Sequence, residues 1–252
     1  MSGSIRMDII SSGLLHSTGL VIHGMSTRRG GVSPEPLGMN LSFNVGDARD
    51  NVLKNRGLFA RALGIDTDQW AAPVQRHTTV VRRVETAGSY PGCDGLVTDT
   101  PGVYLAISAA DCVPVFILDV RRKAIAAVHA GWRGTAGGIA GQGVGMLVAE
   151  FQCRSGDMVA FVGPGAGKCC YAVGEDVAVR FPQELVRREE GKVFVDLKAA
   201  NVAQLVAAGI PRQMIEMSPH CTIHESALFH SYRREGSASG RMMGIIGLKA
   251  QG

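Results

Sequence analysis

The chain has 252 residues, 46% hydrophobic and 19% charged, with a formal net charge of +4. That length supports one large core or two small, tightly packed domains, and the basic residues are scattered rather than interleaved with aromatics in a stripe, which argues against nucleic-acid binding. No apolar run approaches the ~18 residues of a membrane span, and six irregularly spaced cysteines read as reduced thiols rather than a disulfide framework.

The N-terminal MSGSIRMD lacks the apolar core of a signal peptide, so a cytoplasmic protein is expected. Residues 20–25 form a short apolar run, followed by an irregular Pro- and Gly-rich loop to Asn44. The apolar spacing over 50–63 predicts a helix, with Asp50 as its N-cap and Gly64 as its C-cap. Residues 70–84 alternate like a strand or hairpin around Gln75-Arg76-His77. Next come three apolar runs, 103–108, 113–119 and 124–128, which read as buried strands. The first two flank Asp111-Cys112; the third ends at His129, before Gly131-Trp132-Arg133-Gly134.

Residues 140–152 predict a helix weakened by Gly141, Gly143 and Gly145. A strand at 158–162 stops at GPGAG, which lacks the Lys-Ser/Thr pair of a phosphate loop and reads as a tight turn. Helices follow at 174–181 and 197–208, the second capped by Asp196 and Gly209, with short strands at 193–196 and 214–217. Closing strands are expected at 228–232 and 242–248. Strand pairs mixed with single helices predict mixed sheets rather than a doubly wound parallel sheet, and with no Pro- or Ser-rich linker one domain is expected over residues 1–252.

Polar groups that interrupt apolar runs need a reason, because burying one unpaired costs roughly 1–3 kcal/mol. His77, Cys112 and His129 stand out, 35 and 17 residues apart. Two imidazoles and a thiolate suit zinc, and three protein ligands with an open position are the pattern of a catalytic zinc. Spacing alone leaves open an ordinary buried thiol beside hydrogen-bonded histidines, or a cysteine hydrolase with Cys112 as nucleophile and His129 as base. The adjacent Cys169 and Cys170 read as core thiols, and no helix pattern supports a second metal at His220 and His224 beside Cys221.

The motifs HGMSTRRGGVS, LSFNVGD with KNR, QRHTTVV, ISAADCVPVFILD, AAVHAGWRGT, GPGAGKCCYAVGEDV, VDLKAAN and LFHSYRREG with GRMMGII follow one another from about residue 20 to 248. Together they resemble the bacterial polyphenol oxidase or laccase-domain family, associated with purine nucleoside phosphorolysis and adenosine deamination. The resemblance implies an α+β fold, a single-domain four-layer α/β/β/α sandwich with mixed β-sheets, and zinc held by His77, Cys112 and His129, with copper the less favoured metal. The implied substrates are purine nucleosides and phosphate. In that reading Asp111 carries a proton, Arg56 and Arg133 are candidates for phosphate, and Asn40 and Asn44 for ribose or base. Arg76 and Thr78 depart from the family's usual Val and Gly, and Ile223-His224 from its aromatic and Cys, so substrate preference is left open. The family's older name suggests a copper oxidoreductase. Related proteins have been linked to peptidoglycan-precursor editing, but no sugar-peptide site is legible here.

Overall fold

The computed structural model describes residues 7–250. Its first sheet contains β1 (Ile9–Ile10), β2 (Val21–Ser26), β3 (Trp70–Val74), β5 (Gly88–Pro91), β7 (Tyr104–Ala109) and β15 (Met242–Leu248), in the order β1-β2-β15-β7-β3-β5. The second contains β4 (Val81–Arg83), β6 (Gly95–Thr98), β8 (Val113–Asp119), β9 (Ala124–Ala130), β10 (Met158–Val162) and β14 (Ile215–Met217), ordered β14-β10-β8-β9-β6-β4. Both are mixed: β3 runs parallel to β7 while β15 runs antiparallel to it, and β10 is parallel to β14 but antiparallel to β8. A small third sheet holds β11 (Ala172–Val173), β12 (Val186–Glu189) and β13 (Lys192–Val195). The helices are α1 (Gly13–Ser17), α2 (Arg49–Leu63), α3 (Trp132–Ala136), α4 (Ile139–Phe151), α5 (Glu175–Ala178), α6 (Leu197–Ala207) and α7 (Tyr232–Glu235).

Three apolar interfaces stack these elements into four layers. Successive strand residues point to opposite faces, and the continuous runs of the central strands are buried on both. Val113, Val115 and Ile117 of β8 meet Val144 and Leu147 of α4 and Leu205 of α6. The alternate residues Phe116 and Leu118 join Leu105, Ile107 and Ile246 between the sheets. On the far side of the first sheet, Tyr104, Ala106 and Ile245 pack with Phe59 of α2. The order is therefore α2, first sheet, second sheet, then α4 with α6, as the resemblance implied.

Several elements depart from the sequence expectation. Helix α2 starts one residue before Asp50, with Ala48 at the cap position, which leaves Asp50 in the first turn where its charge favours the helix dipole. Gly143 survives inside α4 because a Cβ there would sit 3.2 Å from Val128 and 3.3 Å from Ile117; its absence lets the helix lie close on the sheet. Residues 70–84 are not a hairpin, since β3 and β4 belong to different sheets. The segment 174–181 is helical only over Glu175–Ala178. The expected strand at 228–232 is a turn leading into α7: Phe229 is fully buried with Met25 and Met242, and the Ser231 hydroxyl caps α7 by accepting from the Arg234 amide at 3.2 Å. No helix among the described residues is long and apolar enough to cross a membrane.

Phe116 is fully buried between the sheets, with its ring 6.4 Å from that of Phe161. Phe116→Ala should cost about 3–5 kcal/mol in a denaturant titration with unchanged m-value. A loss under about 1 kcal/mol would show that the inter-sheet layer repacks.

Candidate metal centre

Three chain segments pass from the first sheet to the second on one side of the sandwich, and each carries a polar group. Residues 75–80 link β3 to β4 and hold His77; residues 92–94 link β5 to β6 and hold Asp94; residues 110–112 link β7 to β8 and hold Cys112. Strand β9 runs two residues beyond its expected end, so His129 lies on the strand itself, with its amide donating to the Asp94 carbonyl at 2.8 Å. The ligand atoms of His77, Cys112 and His129 lie within 4.8 Å of one another, and the two imidazole centroids are 5.0 Å apart.

Asp94 organises this cluster. It is fully buried, and its carboxylate accepts from the amides of Arg76, His77 and Thr78 at 2.9, 2.9 and 2.8 Å and from the Thr78 hydroxyl at 2.9 Å. Those bonds hold His77 at a left-handed φ of 60°, a conformation uncommon outside glycine. The His129 Nδ1 donates to the same carboxylate at 2.9 Å, which leaves Nε2 as the free ring nitrogen. Burial alone would raise the Asp94 carboxyl, but the bonds from His129, Arg76 and Thr78 hold it well below the usual carboxylate range.

Burial also opposes charge on Cys112 and His129, yet their mutual attraction wins. The Cys112 thiol is pulled down toward thiolate by His129 and His77, and the His129 imidazole is pushed up by Cys112 and Asp94. The backbone leaves room for the cluster: a Cβ on Gly131 would stand 2.7 Å from His77 Nδ1 and 3.0 Å from Cys112 Sγ. One thiolate, two imidazoles, a hydrogen-bonded outer carboxylate and this glycine cradle fit a borderline-soft divalent ion with one position open.

The cluster lines a cleft of about 1120 Å³ together with Ala106, Ser108 and Met243. Arg56 and Arg241 also line it. Arg56 donates from Nε to the Leu41 carbonyl at 2.8 Å and lies 4.3 Å from the Phe43 ring centroid and 5.7 Å from that of Trp70. Burial lowers its guanidinium to about 10, which leaves it cationic at neutral pH. Arg241 donates to the Ser239 and Gly240 carbonyls at 2.6 and 3.0 Å. Both guanidiniums hydrogen-bond to uncharged carbonyls and lie against aromatic rings, Arg241 against Tyr232 at 5.4 Å.

Asn44 lines the cleft and is exposed, whereas three other expected residues are placed differently. Asn40 is fully buried and spends both amide protons on the Ser42 carbonyl and Asp47, and its oxygen on the amides of Ser42 and Arg241. It shapes the loop and holds the Arg241 backbone rather than facing a ligand. Asp111 accepts from the Thr222 hydroxyl at 2.8 Å, the Ser231 hydroxyl at 3.0 Å and the Arg233 amide at 2.6 Å. With both oxygens committed, it ties the C-terminal segment beside Cys112 and lies outside the cleft lining. Arg133 stacks 4.3 Å from the Trp132 ring on the exposed side of α3, also outside that lining. Asp94 does not stand out in the sequence, and Arg241 enters there only within the motif GRMMGII. Asp94 carries the signal used for Asp111, a carboxylate immediately before an apolar run, but Gly92 and Gly95 disguise it as an ordinary turn.

The chain is thus a four-layer α+β sandwich carrying, where it changes sheets, a two-histidine, one-cysteine cluster whose donor set could hold a metal ion. The chain belongs to the family described as multi-copper polyphenol oxidoreductase laccase, whose model matches residues 22–249. It is 37% identical over 249 residues to "Purine nucleoside phosphorylase YlmD" of Geobacillus stearothermophilus, with 91% of each chain covered. It is also 37% identical over 244 residues to "Adenosine deaminase RL5" of an unknown prokaryotic organism, covering 87% of this chain and 91% of that one. The crystal structure of YlmD from Geobacillus stearothermophilus superposes with a TM-score of 0.87 at 36% identity, covering 91% of this chain and 92% of the other.

Asp94→Asn keeps the side chain's size while removing its charge and one of its acceptors. Metal affinity, measured by competition with a chromophoric chelator, should fall about 10–100-fold. Unchanged affinity would show that His129 is oriented by packing alone.

Proposed function

We propose that the chain is a zinc-dependent purine nucleoside enzyme of the cytoplasm, acting by phosphorolysis of adenosine- and inosine-type nucleosides and by hydrolytic deamination of adenosine. The observation that carries this reading is a single cleft lined both by the His77–Cys112–His129 cluster and by the cationic Arg56 and Arg241. The names of the two relatives supply the two reactions. Free cysteines at all six positions suit a reducing compartment.

His77, Cys112 and His129 would hold the metal, which when bound supplies Lewis acidity beside the substrate. Deamination exchanges the C6 amino group of adenosine for the oxygen of water and releases ammonia. Phosphorolysis joins phosphate to the ribose carbon as the glycosidic bond breaks, so the cleft must hold a multiply charged anion. Arg56 is oriented for that task, because its Nε is fixed on a carbonyl and its plane rests on aromatic rings. Arg241, held by two carbonyls, offers a second cation. Asn44 is free to hydrogen-bond ribose or base. Asp111 acts as a positioning residue through its tie to Ser231 and Arg233.

Two competing readings fare worse. A cysteine hydrolase needs only Cys112 and His129 and leaves the Asp94-held conformation of His77 without purpose. A multicopper oxidase needs many histidines, but of the seven in the chain only two enter a possible ligand cluster among the described residues.

Purified protein incubated with inosine and phosphate, or with adenosine alone, should yield hypoxanthine and inosine respectively by chromatography, and His77→Ala should lose both activities. Inactivity of the metal-loaded parent on both substrates would overturn the reading. Arg56→Ala should lower phosphorolysis about 10- to 150-fold, the worth of one charge-assisted contact of roughly 1.5–3 kcal/mol, and spare deamination. Equal losses in both reactions would mean that Arg56 organises the cleft instead of holding phosphate.

A further inference from the structure

Strands β10 and β14 are parallel neighbours, paired from Ala160–Ile215 to Val162–Met217, so the segments that leave them emerge at the same end of the sheet. The two segments stay together. Gly165 forms a bridge with Cys221, and the Thr222 amide donates to the Gly165 carbonyl at 3.0 Å. This pairing carries Cys169 and Cys170 of one segment to Cys221 of the other. The three sulfur atoms lie within 4.8 Å of one another. Cys169 is exposed and Cys170 half-buried, which corrects their reading as core thiols; only Cys221 is buried.

We propose that Cys169, Cys170 and Cys221 form a second metal site, separate from the His77–Cys112–His129 cluster, for a thiophilic divalent ion of the zinc class. Zn–S bonds of about 2.3 Å place thiolates about 3.8 Å apart in a tetrahedron, a spacing these sulfurs reach with small side-chain adjustments. Three thiolates select soft or borderline ions over magnesium or calcium. The exposure of Cys169 gives the ion an entry path and leaves its fourth position to solvent.

The surroundings fit this occupant. The Gly167 amide donates to Cys221 Sγ at 3.2 Å, a contact that favours sulfur in its anionic form. A Cβ at Gly167 would stand 3.1 Å from Cys221 Sγ and 3.3 Å from Cys169 Sγ, so glycine keeps the space between the two sulfurs clear. The buried Lys198 ammonium donates to the Ser218 and His220 carbonyls at 2.8 and 2.9 Å, both uncharged, in the segment that leads to Cys221. A divalent ion with three thiolates carries a net charge of −1, which the ammonium offsets. The nearby histidines are not needed: the His220 ring is engaged by Glu225 at 2.7 Å, and His224 is exposed.

The test is zinc content after the full-length protein, purified under reductant, is equilibrated with Zn²⁺ and freed of unbound ion. The parent should retain about two ions per chain, and Cys221→Ser about one. The double variant Cys169→Ser/Cys170→Ser, altered on a loop and checked for folding by circular dichroism, should also retain about one. Cys112→Ser reports on the first cluster alone, so failure of that site is read separately. With Co²⁺ as probe, the thiolate-to-metal absorption should fall more in the double variant than in Cys112→Ser. Equal zinc content in the parent and the folded double variant would overturn the proposal. So would loss of two free thiols in air from protein that takes up no metal at these residues, which would make the group a disulfide pair.

Discussion

A single buried carboxylate, Asp94, sets the geometry on which the rest of the cleft depends. An ionised carboxylate without partners in a protein interior is very costly, so Asp94 is buried only because donors converge on it. Three of those donors are consecutive backbone amides of residues 76–78, and a fourth is the Thr78 hydroxyl. The chain folded around the carboxylate has no freedom to place His77 anywhere else. The fifth donor is His129, so one charge fixes two imidazoles from elements 52 residues apart in sequence. Removing that charge acts on the backbone of a loop as well as on the tautomer of a histidine.

The position of Asp94 follows from topology. Side chains within β8 and β9 are buried on both faces, so those strands have no place for solvated polar groups. His77, Asp94 and Cys112 sit where the chain leaves one sheet for the other, and His129 joins them from the end of β9. The segments that cross after β3, β5 and β7 lie together because β3 is parallel to both its neighbours. The cleft is tied down from the opposite side as well. Asp111 draws in the segment from Thr222 to Arg233, and Asn40 holds the Arg241 backbone. Two carboxylates and an amide thus support the cleft without entering it.

This division explains what was legible in the sequence. Long apolar runs announced β8, β9, β10 and β15, and amphipathic spacing with a capping glycine announced α2, because each signal is local. Sheet membership is not local: residues 70–84 alternate like a hairpin although the two halves pair with different sheets. In the run 228–232, Phe229, His230 and Ser231 are all buried, Phe229 in an apolar pocket and Ser231 on Asp111, with no strand partner. His77, Cys112 and His129 stood out as polar breaks beside apolar runs. Asp111 entered as the neighbour of Cys112 and Asn40 through the family resemblance, and the hydrogen bonds both spend on protein partners separate them from groups that face a ligand. Residue type shows that a polar group needs a partner; the fold decides whether the partner is protein or substrate.

On the proposed reading, one cleft must divide two chemistries, and the charges around it suggest how. A divalent ion with one thiolate and two neutral imidazoles carries a net charge of +1, and the buried Asp94 cancels it. Viewed from the cleft, the metal end is then nearly neutral and has little long-range hold on an anion, because opposite charges a few ångströms apart largely cancel at a distance. On the proposed reading, the pull on a phosphate would come from Arg56 and Arg241, whose hydrogen bonds go to carbonyls and not to carboxylates. Carbonyls fix the direction of a guanidinium without neutralising it. Aromatic contacts at Phe43, Trp70 and Tyr232 do the same, since they stabilise the cation and leave its charge available to a ligand. On the proposed reading, a neutral nucleoside can sit against the metal cluster while the anion is held by these arginines. Water can serve as co-substrate in the same place without engaging them at all.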